Sequence, residues 1–388
     1  MRGFIRQRGS TFTCYWSTVN PATGKRDQHT KGGFARENPA RPPKGDSARE
    51  FLNSIVGSVQ DGSWRKDTAL TVKQLLEEHW LPAQRSRELR PATLDQYRNV
   101  VDSWIVPNLG AVRVPALTPK DVTEMVETLR TTKSAAGRKG LSPRSAQLAV
   151  GTLKAACQWA TENGLLGRNP IAGVRRPRGT SSEAMHAWSA DDARAFLAAT
   201  RDDRLAWAWA MLLTRGLRRG EVAGLRWDDV DLDAATVRIN RTRVVVDGKA
   251  VESSPKTASG RRSVPLDGLL VALLRAHKVR QAQEKLAAGT AYGTGGWLFS
   301  DELGSPYHPE SLSTWFETKV KAIELPRIRL HDTRHTSASL MLATGVPVKV
   351  VSEMLGHSSP TITLGIYAHV MPGMAEEAGA ALSASLLG

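Results

Sequence analysis

From Leu70 to about Val174, apolar residues return every three or four positions, the period of helices with one buried face. Val72, Leu75, Leu76 and Trp80 follow Thr71, which can cap their helix; Leu94, Tyr97, Val101 and Trp104 mark a second near Pro91 to Val106. Thr118-Pro119 and Ser142-Pro143 each set a capping hydroxyl before a proline at the first helical position. The helices they open carry Val122, Met125, Val126 and Leu129, then Leu148, Leu153, Cys157 and Ala160, and Asn163-Gly164 ends the last. Ahead of these four helices the period differs. Thr11 to Val19 is rich in β-branched and aromatic residues, as in a strand. Asn20 to Gly24 is a turn, Lys25 to Lys31 a second strand that Gly32-Gly33 ends, Ala35 to Asp46 a loop, and Ser47 to Val59 a short helix.

From Trp188 onward both periods occur. Ser189-x-x-Asp192 is a capping box with Asp in place of Glu or Gln. Leu205 to Thr214, apolar almost throughout, predicts a buried helix that Gly216 breaks. Thr236 to Ile239 and Thr242 to Val246 read as strands, and Asp247-Gly248 as a hairpin turn returning through Lys249 to Glu252. Arg262 to Leu266 is a short strand, Leu269 to Ala288 a helix, and Trp315 to Ala322 and Ser337 to Ala343 two more. Leu340, Met341, Val346, Val350, Val351 and Met354 continue a helix-like pattern. The fold class predicted is multidomain, mainly α with small β-sheets. It comprises a small sheet-plus-helix module over 1–66, a four-helix domain over 70–174, a linker over 175–187, and a mixed α+β domain with a C-terminal tail over 188–388.

Charge narrows the partner. The chain of 388 residues carries a net +15, which favours a polyanion, and nucleic acid is the usual one. The linker contributes Arg175, Arg176 and Arg178, which could follow phosphates. The chain's two cysteines, Cys14 and Cys157, lie far apart without metal-ligand spacing, so no structural zinc is expected. No apolar run reaches membrane-spanning length and the basic N-terminus lacks a signal-peptide core, so a cytoplasmic, DNA-associated protein is the expectation.

The chemistry concentrates in His331 to Tyr367: His331-x-x-Arg334, the turn Leu355-Gly356-His357, and Tyr367. Such spacing lets a fold gather two imidazoles, a guanidinium and a phenol. Phosphoryl transfer needs donors around the non-bridging oxygens and a nucleophile in line. A tyrosine there suggests a covalent phosphotyrosyl route. Of the five tyrosines, Tyr15 lies on a strand, Tyr97 on a helix, Tyr292 in a Gly-rich loop and Tyr307 in a rigid Ser-Pro-Tyr-His-Pro turn. That leaves Tyr367, on a short amphipathic stretch after the His357 turn.

In order and spacing these residues resemble the tyrosine recombinase (phage integrase) family, whose pattern is Arg, Lys, His-x-x-Arg, His/Trp and Tyr. The resemblance extends upstream to Thr214-Arg-Gly-Leu-Arg-Arg-Gly-Glu221 and spans most of the C-terminal half. It implies a first catalytic arginine at Arg218 rather than Arg219, with Glu221 orienting or balancing it, and a second clamp at Arg334. His331 then donates to a phosphate oxygen or exchanges the tyrosine's proton, His357 donates a further hydrogen bond, and Tyr367 is the nucleophile. His335 is read as structural. The family's mobile β-loop lysine falls at Lys256 in Ser-Pro-Lys-Thr, with Lys249 as competitor, and would protonate the leaving 5′ oxygen.

The resemblance further implies an arm-site DNA-binding module at the N-terminus and a core-binding four-helix domain. It implies strand exchange between double-stranded attachment sites through a 3′-phosphotyrosyl intermediate, a homotetramer on DNA to which the tail contributes, and an excisionase or DNA-bending accessory protein. Neither cofactor nor metal is needed. A type IB topoisomerase would share the chemistry and only relax DNA. A metal-dependent transposase or nuclease would need clustered acidic ligands, which the sequence does not display.

Overall fold

The computed structural model describes residues 3–8, 11–19, 26–35, 48–60, 70–132, 140–175, 177, 186–254, 260–367 and 383–387. Lys256, Arg176, Arg178 and the tail residues 375–382 lie outside the described residues. Contacts divide the chain into two compact units, Met1–Thr180 and Ser181–Gly388.

The first unit begins with an antiparallel sheet of β1 (Phe4–Arg8), β2 (Thr11–Val19) and β3 (Arg26–Ala35). Helix α1 (Ala48–Gln60) closes over it around buried Cys14, Trp16, Ala48 and Leu52. Two expectations change here. β1 was not expected, because Phe4 to Arg8 is mostly polar; of its residues Ile5 packs against the core. Gly32-Gly33 does not end β3, which runs on to Ala35. Gly33 takes φ +92° and the pairing register shifts between Phe12 and Cys14, so the glycines make a bulge where a stop was expected.

The four expected helices follow: α2 over 72–85, α3 over 91–109, α4 (Pro119–Thr131) and α5 (Pro143–Glu162). Thr71, Thr118 and Ser142 cap α2, α4 and α5, each accepting from a backbone N–H three residues on. Leu75, Leu76, Trp80, Ile105, Leu153 and Ile171 fill a core distinct from that of the sheet. α2 and α3 each contain a wider π-helical stretch, Leu75–Trp80 and Val101–Ile105. Pro82 and Pro107 stand two residues beyond these stretches. A proline inside a helix removes a donor and crowds the preceding turn, and the wider turn relieves both.

The second unit opens with α6 (Ala190–Ala199), whose Ser189–Asp192 capping box forms, and α7 (Ala206–Arg215), buried from Ala206 to Leu213. After α8 (Arg219–Gly224) come two small antiparallel sheets. One orders β4 (Val230–Asp231), β5 (Thr236–Ile239) and β8 (Arg262–Pro265); the other is the hairpin β6 (Thr242–Val246) and β7 (Lys249–Ser253). Asp247 and Gly248 both have positive φ, as the tight hairpin turn requires. The hairpin sits directly on α8. A Cβ at Gly220 would meet the Arg243 carbonyl oxygen at 2.8 Å. Arg226 ties the hairpin further, pairing with Glu252 while its guanidinium lies 4.1 Å from the Trp297 ring centroid.

Helix α9 (Gly268–Ala288) matches the expected span to within a residue. α10 (Pro309–Ala322) begins six residues earlier than expected, because Pro309 opens the helix and His308 caps it. α11 (Asp332–Ala343) likewise begins ahead of Ser337, directly after His331. The apolar pattern from Leu340 to Met354 is two helices: Gly345, at φ +81°, and Pro347 separate α11 from α12 (Val348–Leu355). α13 (Pro360–Tyr367) completes the unit, and Tyr367 packs with Ala338, Leu342, Val351 and Leu355.

Candidate active site

Three arginines converge on one helix end. A helix leaves its last carbonyls without intrahelical partners and carries a partial negative charge there. At the end of α12, Arg262 Nε donates to the Met354 carbonyl at 2.7 Å, Arg334 Nη2 to Leu355 at 2.6 Å, and Arg218 Nη2 to Gly356 at 3.2 Å. Gly356 caps this helix in the left-handed region, at φ +66°. A second helix end joins them, since Arg334 Nη1 donates to the carbonyl of Gly216, the left-handed cap of α7, at 2.7 Å. A Cβ on Gly216 would meet Leu355 Cδ2 at 2.4 Å, so only glycine lets the two ends approach this closely.

Glu221 locks the arrangement. Its carboxylate accepts from the Arg218 backbone N–H and Nη1, each at 2.8 Å, and from both terminal nitrogens of Arg262 at 3.0 Å. It is 1% exposed. Burial alone would raise its pKa, but Arg262 and Arg218 outweigh that and hold it below the usual carboxylate range. The side chains of Arg262 and Arg334 are buried, whereas that of Arg218 is 39% exposed and can reach an incoming anion. Arg219 turns aside to the Ser313 hydroxyl. Burial first, then repulsion from Arg218 and Arg262, brings the Arg334 pKa down to about 9, so it stays charged at neutral pH.

Histidines border these arginines. His331, just ahead of α11, is exposed, yet the atoms around its ring lower its pKa, with His335 and Arg334 adding to the effect. His357 is half-buried, and its Nδ1 lies 2.8 Å from the Thr363 hydroxyl. Burial first, then Arg334 and Arg218, lowers its pKa to about 4, so it is neutral at pH 7. A hydroxyl donating to Nδ1 leaves the proton on Nε2, where it can be given to a phosphate oxygen. Tyr367 is 1% exposed; burial raises its phenol to about 12, against a lowering influence from Arg334.

Two residues stand here that the sequence reading did not place. Arg262, read only as part of a strand, is the second partner of Glu221. His335, read as structural, has its Nδ1 2.6 Å from the Tyr367 hydroxyl. Among the described residues, no group of three or more His, Cys, Asp or Glu is placed to hold a metal ion, and no helix is long and apolar enough to cross a membrane.

The family model described as "Phage integrase family" matches residues 188–373, and "Phage integrase, N-terminal SAM-like domain" matches 71–130. A protein named tyrosine recombinase XerC-like, from Caldanaerobacter subterraneus, is 31% identical over 252 residues, covering 61% of this chain and 64% of that protein. The ICEBs1 integrase of Bacillus subtilis is 27% identical over 334 residues, covering 85% of this chain and 87% of its own. In fold, the chain resembles the Tn1549 transposon integrase in complex with transposon right end DNA, with a TM-score of 0.64 at 21% identity over 82% of this chain and 100% of that one. It also resembles a lambda integrase dimer bound to a COC' core site, with a TM-score of 0.55 at 18% identity over 94% of each chain. The chain belongs to the phage integrase family. It is a tyrosine-type, site-specific DNA recombinase.

Proposed function

We propose that this enzyme exchanges strands between two double-stranded attachment sites of a mobile element, through a 3′-phosphotyrosyl link on Tyr367. The observation that supports this best is the convergence of Arg218, Arg262 and Arg334 on three successive carbonyls of one helix end, whose next residue is His357. Arg218 meets the scissile phosphate from the open side, Arg334 from below, and His331 and His357 donate to its remaining oxygens. Glu221, backed by Arg262, holds Arg218. The Tyr367 oxygen attacks phosphorus, the bond from phosphorus to the 5′ oxygen breaks, and Lys256 supplies the proton that oxygen takes. The 5′ hydroxyl of a partner strand then reverses the step, returning the tyrosine. One phosphate ester replaces another, so no nucleotide hydrolysis is required. A homotetramer on DNA brings the two sites together, joined by the Ala375–Leu387 tail, and an excisionase or DNA-bending protein sets direction.

Residues 70–174 act as the core-binding domain and 188–388 as the catalytic domain, joined through 175–187; residues 1–66 bind separate arm sites through their basic sheet. Strand exchange between two labelled duplexes carrying full attachment sites tests this reading, and relaxation of supercoiled DNA without exchange would favour a topoisomerase. A chain lacking residues 1–66 is expected to cleave core sites normally but to bind full sites about tenfold or more weakly, the difference shrinking as salt rises. Unchanged affinity would rule out arm binding. Lys256→Ala is expected to bind DNA and cleave about 100-fold more slowly. A 5′-bridging phosphorothiolate, whose leaving group needs no proton, should restore most of that rate. Equal defects on both substrates would reject Lys256 as the acid.

A further inference from the structure

Attack by a phenol requires that its proton go somewhere, and the arginines cannot take it. We infer that His335 is the general base that accepts the Tyr367 proton, a catalytic role for a residue outside the His-x-x-Arg signature. The inference rests on Tyr367 being the nucleophile. Its geometry is direct: His335 Nδ1 lies 2.6 Å from the phenol oxygen, with ring centroids 5.8 Å apart. No other side chain among the described residues is placed by a hydrogen bond on that oxygen. The other histidines are less well placed. His357 Nδ1 faces Thr363, and His331 meets Tyr367 only through the His335 ring, edge-on at a centroid distance of 5.5 Å.

The arrangement also favours the required protonation state. Burial first, then Arg334 and Arg329, holds the His335 pKa below its ordinary value, with Asp332 opposing. A neutral ring can accept at Nδ1 when its own proton sits on Nε2. The balanced step is then simple. The phenol proton moves to Nδ1 as the oxygen bonds to phosphorus and the 5′ oxygen leaves; in the reverse step the imidazolium returns that proton to the departing phenol oxygen. A positioned base near its working pKa contributes about 100- to 10,000-fold.

The charged and titratable groups facing His335 are His331, Asp332 and Arg334 on or beside its own helix, Arg329 before it, Tyr367 from α13, and His357 after α12. A pH profile alone would mix their contributions, so the test changes the phenol as well. Full-length protein, with Tyr367 either native or replaced by a fluorinated tyrosine of lower phenol pKa, is reacted with a nicked suicide duplex in wild-type and His335→Asn backgrounds. Asn keeps a short polar side chain at the position of Nδ1 and cannot take the proton. Wild type should lose rate as pH falls through the lowered His335 pKa, because the protonated ring cannot accept. His335→Asn should bind the duplex normally, form adduct about 100-fold more slowly at neutral pH, and speed up steadily with rising pH. Fluorinated tyrosine should recover about tenfold or more of that defect, which a merely structural lesion would not allow. A wild-type rate in His335→Asn, or an equal defect with both phenols, overturns the inference. A wild-type adduct on another residue would remove Tyr367 as nucleophile and this inference with it, whereas His335 alone fails if Tyr367 reacts and the variant keeps pace.

Discussion

Tyr367→Phe is expected to bind its sites and assemble on them, yet to form no covalent complex and no recombinant product. The substitution deletes one oxygen and leaves a ring of the same shape among Ala338, Leu342, Val351 and Leu355. The lost hydrogen bond to His335 costs stability by only about 1 kcal/mol. Folding and DNA binding therefore survive, and the loss falls on chemistry alone. Tyr307 and Tyr292, the other tyrosines of the unit Ser181–Gly388, are packed into other contacts. Tyr307 packs against Trp315 with ring centroids 4.8 Å apart, and Tyr292 lies against Gly304, where a Cβ would come within 2.6 Å of its ring. Band-shift binding beside a denaturing gel separates the two properties. Residual covalent complex in Tyr367→Phe would contradict the assignment.

Glu221→Ala is expected to destabilise the unit Ser181–Gly388 by about 3–5 kcal/mol, because it leaves Arg262 buried without its counter-charge. It should also slow cleavage about 100-fold even where the protein stays folded, since Arg218 loses two of the bonds that aim it. Glu221→Gln keeps the shape and some acceptors, so its loss should be smaller. The pH dependence has a definite sign. The folded-state pKa of Glu221 is lowered from the ordinary 4.5, so its stabilisation is complete above that value and declines as pH falls through the folded pKa. Urea unfolding followed by the tryptophans of this unit should show the difference between wild type and Glu221→Gln narrowing in acid. A difference that stays constant across that range would mean the carboxylate is not held charged by its arginines.

Local signals made much of this architecture legible. Thr71, Thr118, Ser142 and Ser189 announced helix starts because a capping hydroxyl acts within three residues, and Asp247-Gly248 announced the hairpin because its turn needs positive φ. Prolines were harder to read. Pro309 looked like part of a rigid turn and instead opens α10, while Pro82 and Pro107 sit within helices that widen ahead of them. β1 escaped notice because its sequence is polar and its strand character comes from pairing with β2.

The site divides the same way. Arg218, His331, Arg334, His357 and Tyr367 stand in recognisable order, but nothing local reveals that Arg218, Arg262 and Arg334 share the end of α12. Arg262 is 41 residues from Glu221, and His335 is 32 from the hydroxyl it meets. Only tertiary packing creates those pairs. His335 has no helical apolar signal of its own, and its neighbour Arg334 points instead at two helix ends.

Tyr367 is expected to become joined to DNA at an arginine-lined phosphate site. The most direct measurement reacts wild-type protein with a nicked suicide duplex, digests the denatured product and maps the nucleotide-bearing peptide. One adduct is expected, on Tyr367, joined through a 3′ phosphate and formed equally well in the presence of chelator. An adduct on Tyr292 or Tyr307, or strand exchange that leaves no protein on the DNA at any stage, would contradict it.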